Sequence, residues 1–268
     1  MDYTRSRDGT QIAYDRSGSG PPVVLVASAL ADHRDARRLA RHLSEHFTVL
    51  NYDRRGRGGS GDGSGVDVDR EVEDVAALVE VAGGRASLFG SSSGAILALE
   101  AANVLREKVS RLALFDPPFN VDDGRPPLTE GDIRRLEQQL AAGQRGEAVK
   151  EFMTRQLGMP AAVVAVMRLL PTWSKLEKLA PSLVYDLQLL HRTQSGTPPP
   201  DRWAGASMPT LVLTGGKSDA FLQSGGRAVA QVLPAATHEP LPRASHSAVV
   251  AAPKRLAERL VDFLGANQ

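Results

Sequence analysis

Gly90-Ser91-Ser92-Ser93-Gly94 decides how this chain folds, read with Ala86-Ser87-Leu88-Phe89 before it and Ala95-Ile96-Leu97-Ala98-Leu99 after it. In frame it is G-x-S-x-G with Ser92 at the centre. A short apolar run enters it and an Ala/Leu-rich helical run leaves it, which makes a strand–turn–helix unit. Such a turn is so tight that neighbouring positions must be nearly free of side chain, and glycine meets that demand. The Ser92 hydroxyl is then raised above the sheet, and the following helix aims its positive end at any negative charge developing there. A Gly/Ser-rich pentapeptide can equally be a plain flexible loop, so the rest of the chain has to decide.

A serine of this kind needs a base, and Leu241-Pro242-Arg243-Ala244-Ser245-His246 supplies one in a loop between a short apolar run and a last helix. Of the other histidines, His33, His42, His46, His191 and His238, the pair His42 and His46 lies four apart on an Arg-rich helix and reads as a solvated face. None stands with a second His or a Cys at metal-ligand spacing inside a carboxylate cluster, so no metal is expected.

Composition bounds the remaining classes. The 268 residues can bury one full core, and a single α/β domain with an insertion is the natural expectation. A net charge of +1 gives no electrostatic case for nucleic acid or an acidic membrane as partner. The arginines at 34, 37, 38 and 41 alternate with Asp32, Asp35 and Glu45, as on a solvated helix face. There is no cysteine, which removes disulfide and thiol chemistry. The N-terminus is polar, and no apolar run approaches ~18 residues. The expectation is a cytoplasmic protein acting on a small molecule.

Strand and helix patterns alternate along the chain. Tyr3–Arg7 and Gln11–Ser17 read as a hairpin pair about Asp8-Gly9. Apolar runs at Val23–Ala27, Phe47–Tyr52, Ala86–Phe89, Arg111–Phe115, Thr210–Thr214 and Thr237–Leu241 read as buried strands. Helical patterns separate them at Asp32–His46, Val68–Val81, Ser92–Glu107, Leu222–Leu233 and Pro253–Leu264. Such repetition implies a doubly wound, mostly parallel α/β sheet covered on both faces. Ligands bind beyond the carboxyl ends of its strands, and both Ser92 and His246 follow strands.

Residues 120–203 break the alternation with helical patterns only, between Pro126-Pro127 and Pro198-Pro199-Pro200. We read 1–119 and 204–268 as the core domain, and 120–203 as a helical cap inserted after the sixth strand. Apolar residues of the cap, Phe152, Met153, Met167 and Trp173, are expected to line a substrate pocket, with Leu30, Ser91 and Phe119 from the core. Ordinary helix packing, in which methionines fill gaps, is the competing reading.

The chain resembles the α/β-hydrolase fold superfamily over essentially its whole length, in its cofactor-free, serine-nucleophile esterase and haloperoxidase-like branch. The residues carrying the resemblance are Gly90–Gly94, His246, and Tyr52-Asp53-Arg54-Arg55-Gly56-Arg57-Gly58-Gly59-Ser60, similar to the D-x-R-G-x-G-x-S turn after the fourth strand of such proteins. We take that turn as a structural device. The resemblance implies an oxyanion hole formed by the amides of Ser93 and Ala29. Many relatives carry His-Gly after the third strand, where this chain has Ala27-Ser28-Ala29-Leu30. It also implies an acid. Counted without a gap from Gly215, the usual acid position falls on Ser218, and with a one-residue shift on Asp219. Asp116, in Phe115-Asp116-Pro117, is the alternative at the end of the sixth strand. We prefer Asp116 marginally and keep Asp219 open.

The implied activity is a cofactor-free serine hydrolase that cleaves an ester, lactone or thioester of a bulky apolar molecule through a Ser92 acyl-enzyme. The alternative is a non-hydrolytic cyclase, a C–C hydrolase or a lyase of the same fold, tailoring a natural product with His246 as base. A silent binding protein of this fold is a further possibility. A dinucleotide-binding reading fails because the glycines form G-x-x-x-G on a late strand.

Overall fold

The computed structural model describes residues 1–63, 65–121, 125–193 and 201–266; the Pro198–Pro200 run of the expected cap lies outside them. An antiparallel pair, β1 (Asp2–Arg5) and β2 (Gln11–Ser17), opens the chain. Then come β3 (Pro22–Val26), β4 (Thr48–Tyr52), β5 (Ala86–Ser91), β6 (Val109–Phe115), β7 (Thr210–Gly215) and β8 (Ala236–Leu241). They form one sheet in the order β1-β2-β4-β3-β5-β6-β7-β8, parallel from β4 onward. From β3 the chain turns one way to β4 and then crosses back to β5 on the other side. The carboxyl ends of β3 and β5 therefore flank the switch point where such sheets bind ligands.

Helices α1 (Arg37–Leu43), α2 (Val68–Val81) and α3 (Ser93–Leu105) follow β3, β4 and β5. After β7 and β8 come α9 (Ala220–Val232), α10 (Ala248–Ala251) and α11 (Pro253–Leu264). Period-two alternation sends Val24, Leu50, Leu88 and Leu112 toward α2 and α3, and Val23, Val49, Phe89 and Ala113 toward α1 and α11. Each buried Val or Leu is worth about 1.5–3 kcal/mol, so these two layers hold the strand ends rigidly in place.

Between β6 and β7 lie α4 (Glu130–Ala141), α5 (Arg145–Glu151), a π-helical turn Phe152–Gln156, α6 (Ala161–Met167), α7 (Trp173–Leu179) and α8 (Leu183–Thr193). No strand interrupts them among the described residues. α4 starts at a reciprocal cap between Thr129 and Asp132. α8 is fixed by packing against α3 and α4. Among the described residues, no helix is long and apolar enough to cross a membrane.

Several element boundaries differ from the sequence reading, two of them for reasons visible in local hydrogen bonds. The helix expected over Asp32–His46 begins only at Arg37, because Asp32 and Asp35 accept the Arg34 and Asp32 amides at 2.9 Å each and hold a turn instead. The first strand ends at Arg5, where the Gly9 amide turns back onto the Ser6 carbonyl.

Candidate active site

The glycines around Ser92 are required by close approach. A Cβ on Gly90 would lie 2.2 Å from the Gly94 carbonyl, and one on Gly94 would lie 2.4 Å and 2.5 Å from the Val26 and Ala27 carbonyls. With both absent, the turn closes and Ser92 takes φ 54° and ψ −128°, a left-handed conformation that only a tightly packed surrounding sustains. The same contacts press the start of α3 onto the end of β3, so the Ala27–Leu30 loop lies beside the serine.

The sheet ladder continues past the strand ends and sets the spacing of the next residues. The Ser92 amide donates to the Phe115 carbonyl (2.9 Å) and the Asp116 amide to the Leu213 carbonyl (2.8 Å). From the loop after β8, His246 comes between them. Its Nε2 lies 3.1 Å from Ser92 Oγ, and its Nδ1 lies 3.0 Å from Asp116 Oδ2. Asp116 is wholly buried, also has positive φ (48°), and its carboxylate is fully engaged. Oδ1 accepts the Gly215 amide at 2.8 Å, and Oδ2 also accepts the Ser218 hydroxyl at 2.5 Å. A buried carboxylate so held fixes which imidazole nitrogen carries the proton and leaves the other free to accept from Ser92.

Asp219 does not take part in this contact. Its Oδ1 accepts the Leu222 amide at the start of α9 (3.0 Å), and its Oδ2 pairs with Arg125, whose guanidinium lies over the Phe221 ring. It is a helix cap joined to the segment above. Of the two open aspartates, the structure brings Asp116 to the imidazole. Ser218, on the position reached by the ungapped count, is what sequence reasoning passed over. Its pairing with a residue 102 positions away leaves no local signal.

Above Ser92 and His246 lies a cavity of about 570 Å³. Leu30, Ser91, Phe152 and Met153 line it, together with Ala29 and Ser93, the two expected oxyanion-hole donors. Phe119, Met167 and Trp173 do not, and this corrects that reading. Phe119 is buried edge-on against Trp203 (centroids 5.6 Å apart). Trp173 turns its indole N–H to Glu177 (2.9 Å), and Met167 packs against the hydrophobic core at the end of α6. Met159, Leu157 and Leu222 also line the walls, as do Val249 and Val250 of α10.

Asp32, His33 and Asp53 bring three potential metal-ligand atoms within 4.8 Å of one another. Each residue is already engaged. His33 Nδ1 and the His33 amide both meet Asp53 Oδ1 at 2.8 Å, Asp53 Oδ2 accepts the Gly59 amide (2.8 Å), and Asp32 pairs with Arg34.

The chain spans 60% of the curated relative it matches in Bacillus subtilis, the uncharacterized hydrolase YraK, with 28% identity over 169 residues. The structure superposes on an alpha/beta hydrolase from Sphaerobacter thermophilus at TM-score 0.90, with 44% identity over 98% of this chain and 99% of that one. It shares its fold with a thermophilic esterase from Thermogutta terrifontis at TM-score 0.78 and 23% identity, covering 99% and 98% of the two chains. The sequence model of the Alpha/beta hydrolase family matches residues 23–259. The fold expected from the Gly90–Gly94 turn, His246 and the alternation of strands and helices thus meets a family match over nearly the whole chain: this protein belongs to the alpha/beta hydrolase family.

Proposed function

We propose that the protein is a serine hydrolase that cleaves an ester, lactone or thioester of a bulky, apolar small molecule. His246 Nε2 takes the Ser92 proton as Oγ adds to the substrate carbonyl carbon. The negative charge moves to the carbonyl oxygen, facing the Ala29 and Ser93 amides; Ser93 opens α3, where amides lack intrahelical partners. As the intermediate collapses, the bond to the alcohol or thiol breaks and His246 returns the proton to that leaving group. Water then adds to the acyl carbon with His246 again accepting a proton. The acid is released and Ser92 Oγ regains its hydrogen. Asp116 keeps the imidazole oriented throughout. Residues 120–203 act as a cap that supplies Phe152 and Met153 to the apolar wall and excludes water.

The observation carrying this reading is the 3.1 Å contact of Ser92 Oγ with His246 Nε2, backed by a buried carboxylate. No organic cofactor or metal enters these steps. The test is intact-mass labelling with a fluorophosphonate, followed by peptide mapping. One adduct on Ser92, lost in Ser92→Ala and strongly slowed in His246→Ala, is the expected result. An unlabelled, folded wild type would overturn the acyl-enzyme and favour base chemistry by His246 alone.

A further inference from the structure

The turn after β4 carries three arginines, and all three are buried. Arg55 serves the core: it pairs with Asp74 of α2 (2.6 and 2.7 Å) and with Asp8 (3.0 Å). Arg54 and Arg57 face the other way, toward the loop after β3. Arg57 Nη1 donates to the Ser28 carbonyl at 2.6 Å and to the Ala31 carbonyl at 3.3 Å, and Arg54 Nη1 donates to the Ala27 carbonyl at 3.2 Å. Both guanidiniums are held by one carboxylate, Asp186 of α8. Arg54 meets its Oδ1 at 2.8 Å and Arg57 its Oδ2 at 2.7 Å, while Glu71 takes the far side of Arg54 in two 2.8 Å bonds. The same Asp186 Oδ1 accepts the Ser93 hydroxyl at 2.8 Å.

We propose that Arg57, Arg54 and Asp186 are positioning residues that set the direction of both oxyanion-hole amides, and that α8 is thereby a working part of the hole. The inference rests on the acyl-transfer reading above. In a trans peptide the C=O and the following N–H point in opposite directions. A short charge-assisted bond that holds the Ser28 carbonyl therefore fixes where the Ala29 N–H points, on the side away from Arg57. Leu30, one residue on, has positive φ (54°), a conformation the loop would not keep unaided. The bond from Ser93 Oγ to Asp186 likewise fixes the residue that gives the second amide. Ala27, Ser28 and Ala29 of this loop are small residues. The bracing comes from outside, through buried charges.

The consequence is testable with variants that leave both amides present. Ser93→Ala removes only the hydroxyl, and Ser93→Thr restores one. Arg57→Lys keeps the charge beside Asp186 but cannot hold two partners in the fork geometry of a guanidinium. Hydrolysis of p-nitrophenyl butyrate gives kcat/KM and KM. A boronic acid that forms a tetrahedral adduct on Ser92 reports the hole itself. We expect Ser93→Ala and Arg57→Lys to lower kcat/KM by about 10- to 100-fold, a fraction of the loss of a whole donor. Boronate affinity should fall by the same factor, with KM within about threefold and the pH profile unmoved. Ser93→Thr should recover most of both losses. Ser93→Ala with unchanged kcat/KM and boronate affinity, or Arg57→Lys folded at the wild-type melting temperature with both unchanged, would overturn the inference. Full turnover by Ser92→Ala would instead overturn the acyl-enzyme reading on which it stands.

Discussion

The strand-end edge of the core is held by backbone and packing, whereas the helices between β6 and β7 add side-chain charge pairs to their packing. At the edge, Leu30, Ser92 and Asp116 all have positive φ without being glycine, and each sits just past the end of a buried parallel strand. Backbone ladders, two packed hydrophobic layers and sub-van der Waals demands at Gly90 and Gly94 enforce that strain. The helices between β6 and β7 join the core through a shared hydrophobic cluster, with α8 packed on α3, and through side-chain charge. Lys175 of α7 reaches Asp35 beside the cavity at 2.8 Å, Arg125 pairs with Asp219, and Asp186 meets Arg54 and Arg57. Geometry that must be exact to a fraction of an ångström is thus carried by backbone and packing, while the inserted helices add to their packing a set of charge pairs that can be altered one at a time.

Substitutions at the two aspartates contrast these regions most sharply. Asp116→Asn should lower kcat/KM by about 10⁴-fold, since the imidazole loses its orienting carboxylate. Asp219→Asn keeps a capping side chain and should stay within about threefold. Initial rates on a p-nitrophenyl ester measure both, and equal losses would break the distinction drawn between them.

Asp186→Asn should cost about 3–5 kcal/mol of stability in denaturant unfolding, because two guanidiniums lose a buried partner. The pH dependence follows from the carboxylate itself. Burial pushes it upward, but Arg57, Arg54 and the Ser93 hydroxyl outweigh this and hold it below the ordinary carboxylate range. A group depressed in the folded state stabilises fully above its unfolded pKa and loses that contribution as pH falls through the folded one. Acid unfolding of the wild type should show this loss below the ordinary carboxylate range, and Asp186→Asn should lack it.

Ser218→Ala should reduce kcat/KM by about tenfold, the order of one hydrogen bond to a charged acceptor. No change would mean the Gly215 amide alone holds Asp116. Lys175→Ala removes a half-exposed pair and should cost less than about 1 kcal/mol, with the difference shrinking further in high salt. A larger loss would show that α7 is more than lightly fastened.

Most of the core edge was legible in the sequence because its signals are local. Apolar runs of five or six residues, a glycine two places either side of Ser92, and a histidine after the last strand each declare themselves within a dozen residues. The cavity was legible in part. Phe152 and Met153 lie on its wall, but Trp173 and Met167 turn away, because short helices of seven residues present no periodicity long enough to fix a face. What the sequence hid is the long-range pairing of charge. Arg54 with Asp186, or Ser218 with Asp116, joins residues 132 and 102 positions apart, and only the folded chain shows which of many acids answers which arginine.

The contact of Gly94 with the Val26 and Ala27 carbonyls also bears on how this enzyme can change. Any side chain there must push the helix off the strand and move the nucleophile with it, so that position is closed to mutational exploration. Met153, Leu157 and Met159 carry no such burden: they line the cavity from the segment between β6 and β7, where exchanging one apolar side chain for another alters volume without touching the strained edge. New substrate preferences are therefore to be sought in libraries over these cavity walls, leaving the glycines of the turn untouched.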